Sequence, residues 1–242
     1  MLKLLSDVLL KPYLTAKIKV LTYKTQLAYA ERLLAWAEVE KVEKAIAVLT
    51  ELGSDYPYRR QEIVDKICSY LRHTFPQDKE VDRQWLPILR FGIRSVASLP
   101  RYDVNGQPLN IDLHQMRIQS VNFQGNDSEG QLNLTGLNFK DVSIWGCVIK
   151  AVEMPRTNFE NADLGGTVFE GCSLEWCNFR NSKLNASFMD AGRPTTFRNT
   201  RLWGNNLHEA IIDACHLHNS DGFDQHLIQP AIESGRIRLI DI

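Results

Sequence analysis

The chain has 242 residues and a formal net charge of -1, with 44% hydrophobic and 24% charged residues. That length allows a sizeable buried core, and that balance excludes wholesale disorder and a strong polyelectrolyte. The charge is uneven. Residues 1–104 carry 17 Lys and Arg against 13 Asp and Glu, a net of +4, whereas residues 105–220 carry 9 against 12, a net of -3, and residues 221–242 carry 2 against 4, a net of -2.

Met1 to Leu10 is apolar, but Lys3 and Asp7 interrupt it and no small-residue cleavage site follows, so no secretory leader is expected. No run approaches the ~18 consecutive apolar residues that span a bilayer. A cytoplasmic protein without an integral membrane segment is the simplest expectation. Residues 1–24 place five Lys and one Asp among Leu, Val and Tyr, a membrane-surface composition that Pro12 interrupts.

Residues 14 to about 100 read as helices. Leu14, Ile18 and Leu21 start a helical spacing that Leu27 and Leu34 continue to Trp36. Val42, Ile46 and Leu49 carry a second helix to a stop at Gly53. Ile63, Val64, Ile67 and Leu71 lie on one face of a third, which Pro76 breaks. Asp82 to Leu99 is a last helical stretch, broken near Pro87. The three parts expected are 1–104 (α-helical), 105–220 (repeats) and 221–242 (a cap or tail).

The repeats decide the fold. Every fifth residue from Leu134 to Leu184 is large and apolar: Leu134, Phe139, Ile144, Ile149, Met154, Phe159, Leu164, Phe169, Leu174, Phe179 and Leu184. At 44% hydrophobic, chance gives this about once in eight thousand trials, so the period is real. Neither a 3.6-residue helix nor a 2-residue strand holds a five-residue phase that long. Leu113, Ile118 and Phe123 extend it upstream; Phe197, Leu202, Leu207, Ile212 and Leu217 extend it downstream. Two excursions interrupt it. One, near 124–131, is read as two repeats plus one residue. The other, near 190–195, is read as one repeat, counting Met189, plus three. Two positions before each large residue the side chain is usually small (Cys147, Thr157, Ala162, Thr167, Cys172, Cys177, Ser182), which suits a narrow core. Two positions after, Gly136, Asp141, Gly146, Asn161, Gly166, Gly171 and Asn181 suit tight corners at positive φ.

Ala162-Asp163-Leu164, Thr157-Asn158-Phe159, Cys177-Asn178-Phe179 and Cys172-Ser173-Leu174 make the chain resemble the pentapeptide-repeat family. The resemblance implies a mainly β fold: a right-handed quadrilateral β-helix of about five coils, with residues twenty apart in one column. Phe139, Phe159 and Phe179 form one expected column; Leu134, Met154, Leu174 and Phe197 form another. At the ~4.8 Å strand spacing the stack is roughly 25 Å long. Leu52 to Pro57 and Ile67 to Arg72 resemble the helical segment before the repeats in bacterial members, implying a helical cap on the solenoid's first end. Ile228, Ile232, Ile237, Leu239 and Ile240 read as a cap on the other, and with both ends covered a monomer is expected.

No phosphate loop, nucleophile elbow or acid–base pair can be named, so no enzyme, cofactor or metal is expected. Cys147, Cys172, Cys177 and Cys215 occupy the small inward slot and read as structural thiols. Cys215, His216 and His218, with His208 nearby, are the most metal-like group, but their predicted orientations diverge. Trp145, Trp176 and Trp203 are expected on the outer surface, where aromatics mark interfaces. The expected function is therefore an interaction or scaffold protein that meets a protein partner, not nucleic acid. The family resemblance offers an alternative, a DNA mimic that protects a type II topoisomerase, for which a net of -3 over the repeats is weak.

Overall fold

The structure, a computed structural model, describes residues 11–119, 121–127, 130–186, 192–212, 215–218, 220, 222–223 and 225–240. Residues 1–10, and with them much of the membrane-surface stripe, lie outside these. Four helices come first: α1 (Lys11–Leu34), α2 (Val39–Asp55), α3 (Arg60–Thr74) and α4 (Leu86–Ser98). Val42, Ile46 and Leu49 of α2, Ile63, Ile67 and Leu71 of α3 and Ile88, Leu89 and Ile93 of α4 are all buried, and together they form one core.

Two boundaries differ from the sequence reading. Gly53 does not end α2, which runs on to Asp55. Its missing side chain instead makes room for Leu99, whose methyls would lie 3.1 Å from a Cβ at that position. Pro87 does not break a helix: it sits in the first turn of α4, after a 3-10 turn at Arg83–Trp85, where its absent N–H costs nothing. The buried Arg60 ties these pieces together, donating from Nε to the Gly53 carbonyl at 3.0 Å and from Nη1 to the Tyr102 carbonyl at 2.9 Å.

From Ile111 onward the backbone coils into a parallel β-helix. Short strands β1 (Arg117–Gln119), β2 (Asn122–Gln124), β5 (Ser143–Trp145), β6 (Val148–Lys150), β7 (Val168–Glu170), β8 (Lys183–Leu184), β9 (Thr195–Arg198), β10 (Ile211–Ile212) and β11 (Cys215–His218) pair only in parallel. The other two early strands, β3 (Asn126–Asp127) and β4 (Gly130–Gln131), form an antiparallel hairpin. The large residues stack in four columns. The first holds Leu113, Phe139, Phe159, Phe179 and Leu207. The second holds Ile118, Ile144, Leu164, Leu184 and Ile212. The third holds Phe123, Ile149, Phe169, Phe197 and Leu217. The fourth holds Leu134, Met154, Leu174 and Leu202. Rings stack directly: Phe159 lies 5.7 Å from Phe139 and 5.1 Å from Phe179, and Phe169 lies 5.1 Å from Phe197.

This stacking corrects both excursions. Phe123 pairs with Ile149, 26 residues on, so the first excursion adds six residues, folded as the hairpin, instead of one. Phe169 pairs with Phe197, 28 residues on, so the second adds eight instead of three. Phe197 therefore belongs above Phe169, and the place above Leu174 is taken by Leu202. Met189 lies outside the described residues, and the stacking passes from Leu184 straight to Phe197. Periodicity could not reveal this, because an extra apolar residue in an excursion can fall in phase by chance.

The corners behave as their composition predicts: Gly136, Asp141, Gly146, Asn161, Gly166, Gly171 and Asn181 all have positive φ. After β11 the chain forms α5 (Gln225–Glu233) and returns as β12 (Ile237–Ile240), parallel to β11, which completes a six-stranded sheet along the third column. Phe223 packs edge-on against Phe197 at 5.6 Å, and Ile228 and Ile237 are buried.

Within the β-helix each coil offers backbone carbonyls to the coil before it: Asn138 O accepts from Leu113, Lys150 O from Gly125 and Glu153 O from Leu134. The first coil has no predecessor, and an open edge of this kind invites pairing with other chains. Side chains from the helical region fill the gap. Arg72 donates to Asp112 O, Arg94 to Gln124 O at 2.8 Å and Arg101 to Asn133 O. On the second column Phe75 to Gln77 act as a substitute strand: Arg117 donates to Phe75 O at 2.9 Å and Gln77 to Gln115 O at 3.0 Å.

Candidate interaction surface

The outer face of the β-helix is charged, but the charges are interleaved by sign along the stacking direction. Lys140 lies 3.3 Å from Glu160, and Lys183 3.9 Å from Asp163. Glu170 sits between Lys150 at 2.8 Å and Arg198 at 3.6 Å; the Lys150 hydrogen bond, against a smaller upward push from burial, holds its carboxyl below the usual range. Arg201 bridges Glu153 and Glu175, each at 3.6 Å, and Arg180 lies 3.5 Å from Glu209. Each pair contributes little stability on its own. Together they alternate positive and negative charge along the stack, unlike the uniform negative charge of duplex nucleic acid.

A polar ladder runs along the first column. Asn138, Asn158, Asn178 and Asn206 each donate from Nδ2 to the side-chain oxygen of the residue one coil earlier, at 2.8, 3.0, 3.0 and 3.0 Å. The last acceptor is Asp112, which has no amide donor to leave stranded. Its carboxylate also meets His114 Nδ1 at 2.8 Å and Arg72 at 3.2 Å. Burial pushes the Asp112 carboxyl upward, but the hydrogen bonds from His114 and Asn138 outweigh this and hold it below the usual range. Sequence reading missed this ladder, although Asn138, Asn158 and Asn178 share one slot twenty residues apart.

The three tryptophans divide into two places. Trp145 follows Ile144 on the second column, half-buried, with the Arg117 guanidinium 5.0 Å from its ring centre. Trp176 and Trp203 lie together at the edge of the fourth column, where the Trp176 N–H donates to the Trp203 carbonyl at 2.7 Å. Both are open to solvent, at 66% and 55% exposure. Trp176 occupies a corner with φ of 62°; in its column the same corner is held by Gly136, Arg156 and Gly204, so it is the one aromatic there. Holding a bulky L-residue there costs roughly 1–2 kcal/mol. Directly above it in the column is Gly204, where a Cβ would collide with the Trp176 ring. The ring thus lies over bare backbone, in a slot cleared for it.

All five cysteines are free and buried. Burial pushes the thiols up, to about 12 for Cys68, Cys177 and Cys215 and to about 11 for Cys172. Among the described residues no three His, Cys, Asp or Glu side chains converge on a point where a metal could sit. Cys215 faces inward; the His218 side chain lies outside the described set. Among the same residues no helix is long and apolar enough to cross a membrane.

A parallel β-helix built on a five-residue period, with small inward residues and left-handed corners, defines a class of repeat solenoid. Residues 154–190 match the family model described as Pentapeptide repeats (8 copies). Residues 154–190 thus carry pentapeptide repeats. No curated protein matches it. Among solved structures it is similar to HetL from the cyanobacterium Nostoc sp. strain PCC 7120, a pentapeptide repeat protein involved in heterocyst differentiation regulation, at 14% identity and a TM-score of 0.30. That match covers 47% of this chain and 51% of HetL, so the chain spans about half the length of that protein. It is also similar to a pentapeptide repeat protein from the Arabidopsis thaliana thylakoid lumen, at 17% identity and a TM-score of 0.25, over 47% of this chain and 75% of that one. A third is QnrB1, a plasmid-mediated fluoroquinolone resistance protein, at 18% identity and a TM-score of 0.20, over 44% and 53% of the two chains. The matched family is not a catalytic one.

Proposed function

We propose that the chain is a non-enzymatic interaction protein: a monomeric, right-handed quadrilateral solenoid of about five coils that presents a tryptophan corner to a protein partner in the cytoplasm. The observation that carries this reading is Trp176. It is 66% exposed at a φ of 62°, so the fold spends stability to hold an aromatic ring in solvent. Trp203 beside it widens the apolar patch, and exposed tryptophans are the side chains that most often anchor protein interfaces. Trp145, half-covered by Arg117, belongs to another face and serves as an edge contact at most. The topoisomerase-protecting alternative is disfavoured by the paired charge columns, since each outward carboxylate named above has a cation within 4 Å.

The test is affinity capture from lysate of the source organism with the wild-type chain and a Trp176→Asn/Trp203→Ser double variant, at low and high salt. A partner held by the wild type at both salts and lost by the variant supports the reading. A partner held equally by both, and released by salt, overturns it and returns attention to the charged faces.

A further inference from the structure

The first coil carries an edge that the helical region does not finish closing. In the third column the residue just before each large one turns its N–H toward the preceding coil: Val168 donates to Cys147 O at 2.9 Å and Thr196 to Thr167 O at 2.9 Å. The C=O of such a slot faces the same way as its N–H, as the first column shows, where Asn138 donates to Ile111 O and accepts from Leu113, both in the preceding coil. In the first coil these slots are Asp112, Arg117, Asn122 and Asn133. Arg72 engages Asp112, the Phe75 carbonyl engages Arg117 and Arg101 engages Asn133. Asn122 is the exception. Arg94 donates to Gln124 O, two residues on, and Asn122 N–H and C=O have no hydrogen-bond partner among the described residues. Asn122 is exposed and lies on β2, the outermost strand at its end of the six-stranded sheet.

This unpaired edge borders a trough between α2 and α4. Two adjoining cavities share Glu43 and Phe91. One, of about 520 Å³, is lined by Arg83, Leu86, Arg90 and Asn122. The other, of about 490 Å³, is lined by Ala47, Glu51, Arg94 and Leu132. We infer that this trough binds an extended peptide of a partner protein, which adds a strand to β2 through the N–H and C=O of Asn122. Strand addition needs an unpaired edge for the main chain and pockets for alternate side chains, and both are present. The charges select the occupant. The half beside Asn122 sets Arg83 and Arg90 against the single carboxylate of Glu43, an excess of positive charge, so an acidic side chain fits there. The other half is floored by Phe91, Ala47 and Leu132, which fits an apolar side chain of the same peptide. The site stands apart from the tryptophan corner and does not depend on it.

The experiment selects binders from a phage-displayed library of random linear peptides against the full chain, then measures synthetic copies by fluorescence anisotropy. Expected winners pair an acidic residue with an apolar one two positions away. Methylating alternate backbone nitrogens on one edge of such a peptide weakens binding at least about tenfold, while methylating the other edge does not. Asn122→Pro deletes the free N–H at an edge position that tolerates proline, and abolishes binding with little change in melting. Should that variant misfold, Arg83→Glu, on an exposed side chain, gives the second reading and weakens acidic peptides by about tenfold or more. Failure to enrich any peptide, or binding indifferent to backbone methylation and to Arg83→Glu, overturns the proposal. So does self-association of the full chain by light scattering that Asn122→Pro abolishes, because the edge would then be an interface between copies.

Discussion

At the scale of single residues, the informative positions are those that break the local rule. Asn or Gly would sit at the Trp176 corner without strain, so Trp176→Asn is expected to stabilise the fold by about 1 kcal/mol while removing partner binding. Thermal melting beside a binding assay checks this; a fall in melting temperature would show that the ring packs for the fold's sake. Asp112 is the opposite case, a residue whose chemistry the fold requires. Asp112→Asn would place an amide donor beside Arg72 and cost about 1–3 kcal/mol. Because the folded state holds the Asp112 carboxyl below its ordinary range, its contribution is complete above the unfolded carboxylate's pKa and is lost as pH falls through the folded value. The wild-type melting temperature should therefore drop more steeply than the variant's between about pH 5 and 3.

At the scale of elements, the aromatic stack holds the β-helix together. Phe159 is fully buried between Phe139 and Phe179, so Phe159→Ala should cost about 3–5 kcal/mol, and Phe159→Asp should abolish the cooperative transition in circular dichroism. The columns through Phe139 and Phe159 were legible in the sequence because side chains that point inward repeat with the backbone's own period. The corners were legible because left-handed φ restricts composition. The lengths of the excursions were not, because an excursion obeys no period and only stacking partners reveal how many residues it takes up. The capping contacts of Arg72, Arg94 and Arg101 were also invisible: each is a long-range bond from the helical region to a carbonyl 30 or more residues away, with no local pattern to mark it. The sequence put Trp176 and Trp203 on the outer surface, where both lie exposed. It could not show that they share an edge while Trp145 lies elsewhere, since that depends on which column each residue enters.

At the scale of the whole molecule, helices and β-helix share one continuous buried core, running from Tyr23 through Phe159 to Ile237. Unfolding should accordingly be a single transition. The thiols offer a direct check: Cys68 lies in α3, whereas Cys147, Cys172, Cys177 and Cys215 line the β-helix, and all are buried. Their reaction with a chromogenic disulfide reagent is expected to be negligible in the native state and to appear as one phase at the unfolding midpoint. Early labelling of Cys68 alone would instead show that the helical region opens by itself.

The ladder that starts at Asp112 has a direction. Every asparagine in it donates backward, so each new coil finds its acceptor already in place, while Asp112 in the first coil only accepts and takes a donor, Arg72, from the helices. A chain leaving the ribosome exposes those helices first. It can then lay down one coil after another on a finished template, with no need for the far end to exist. The order of synthesis and the order of assembly coincide, and at each step the growing end exposes only one coil's worth of unpaired backbone.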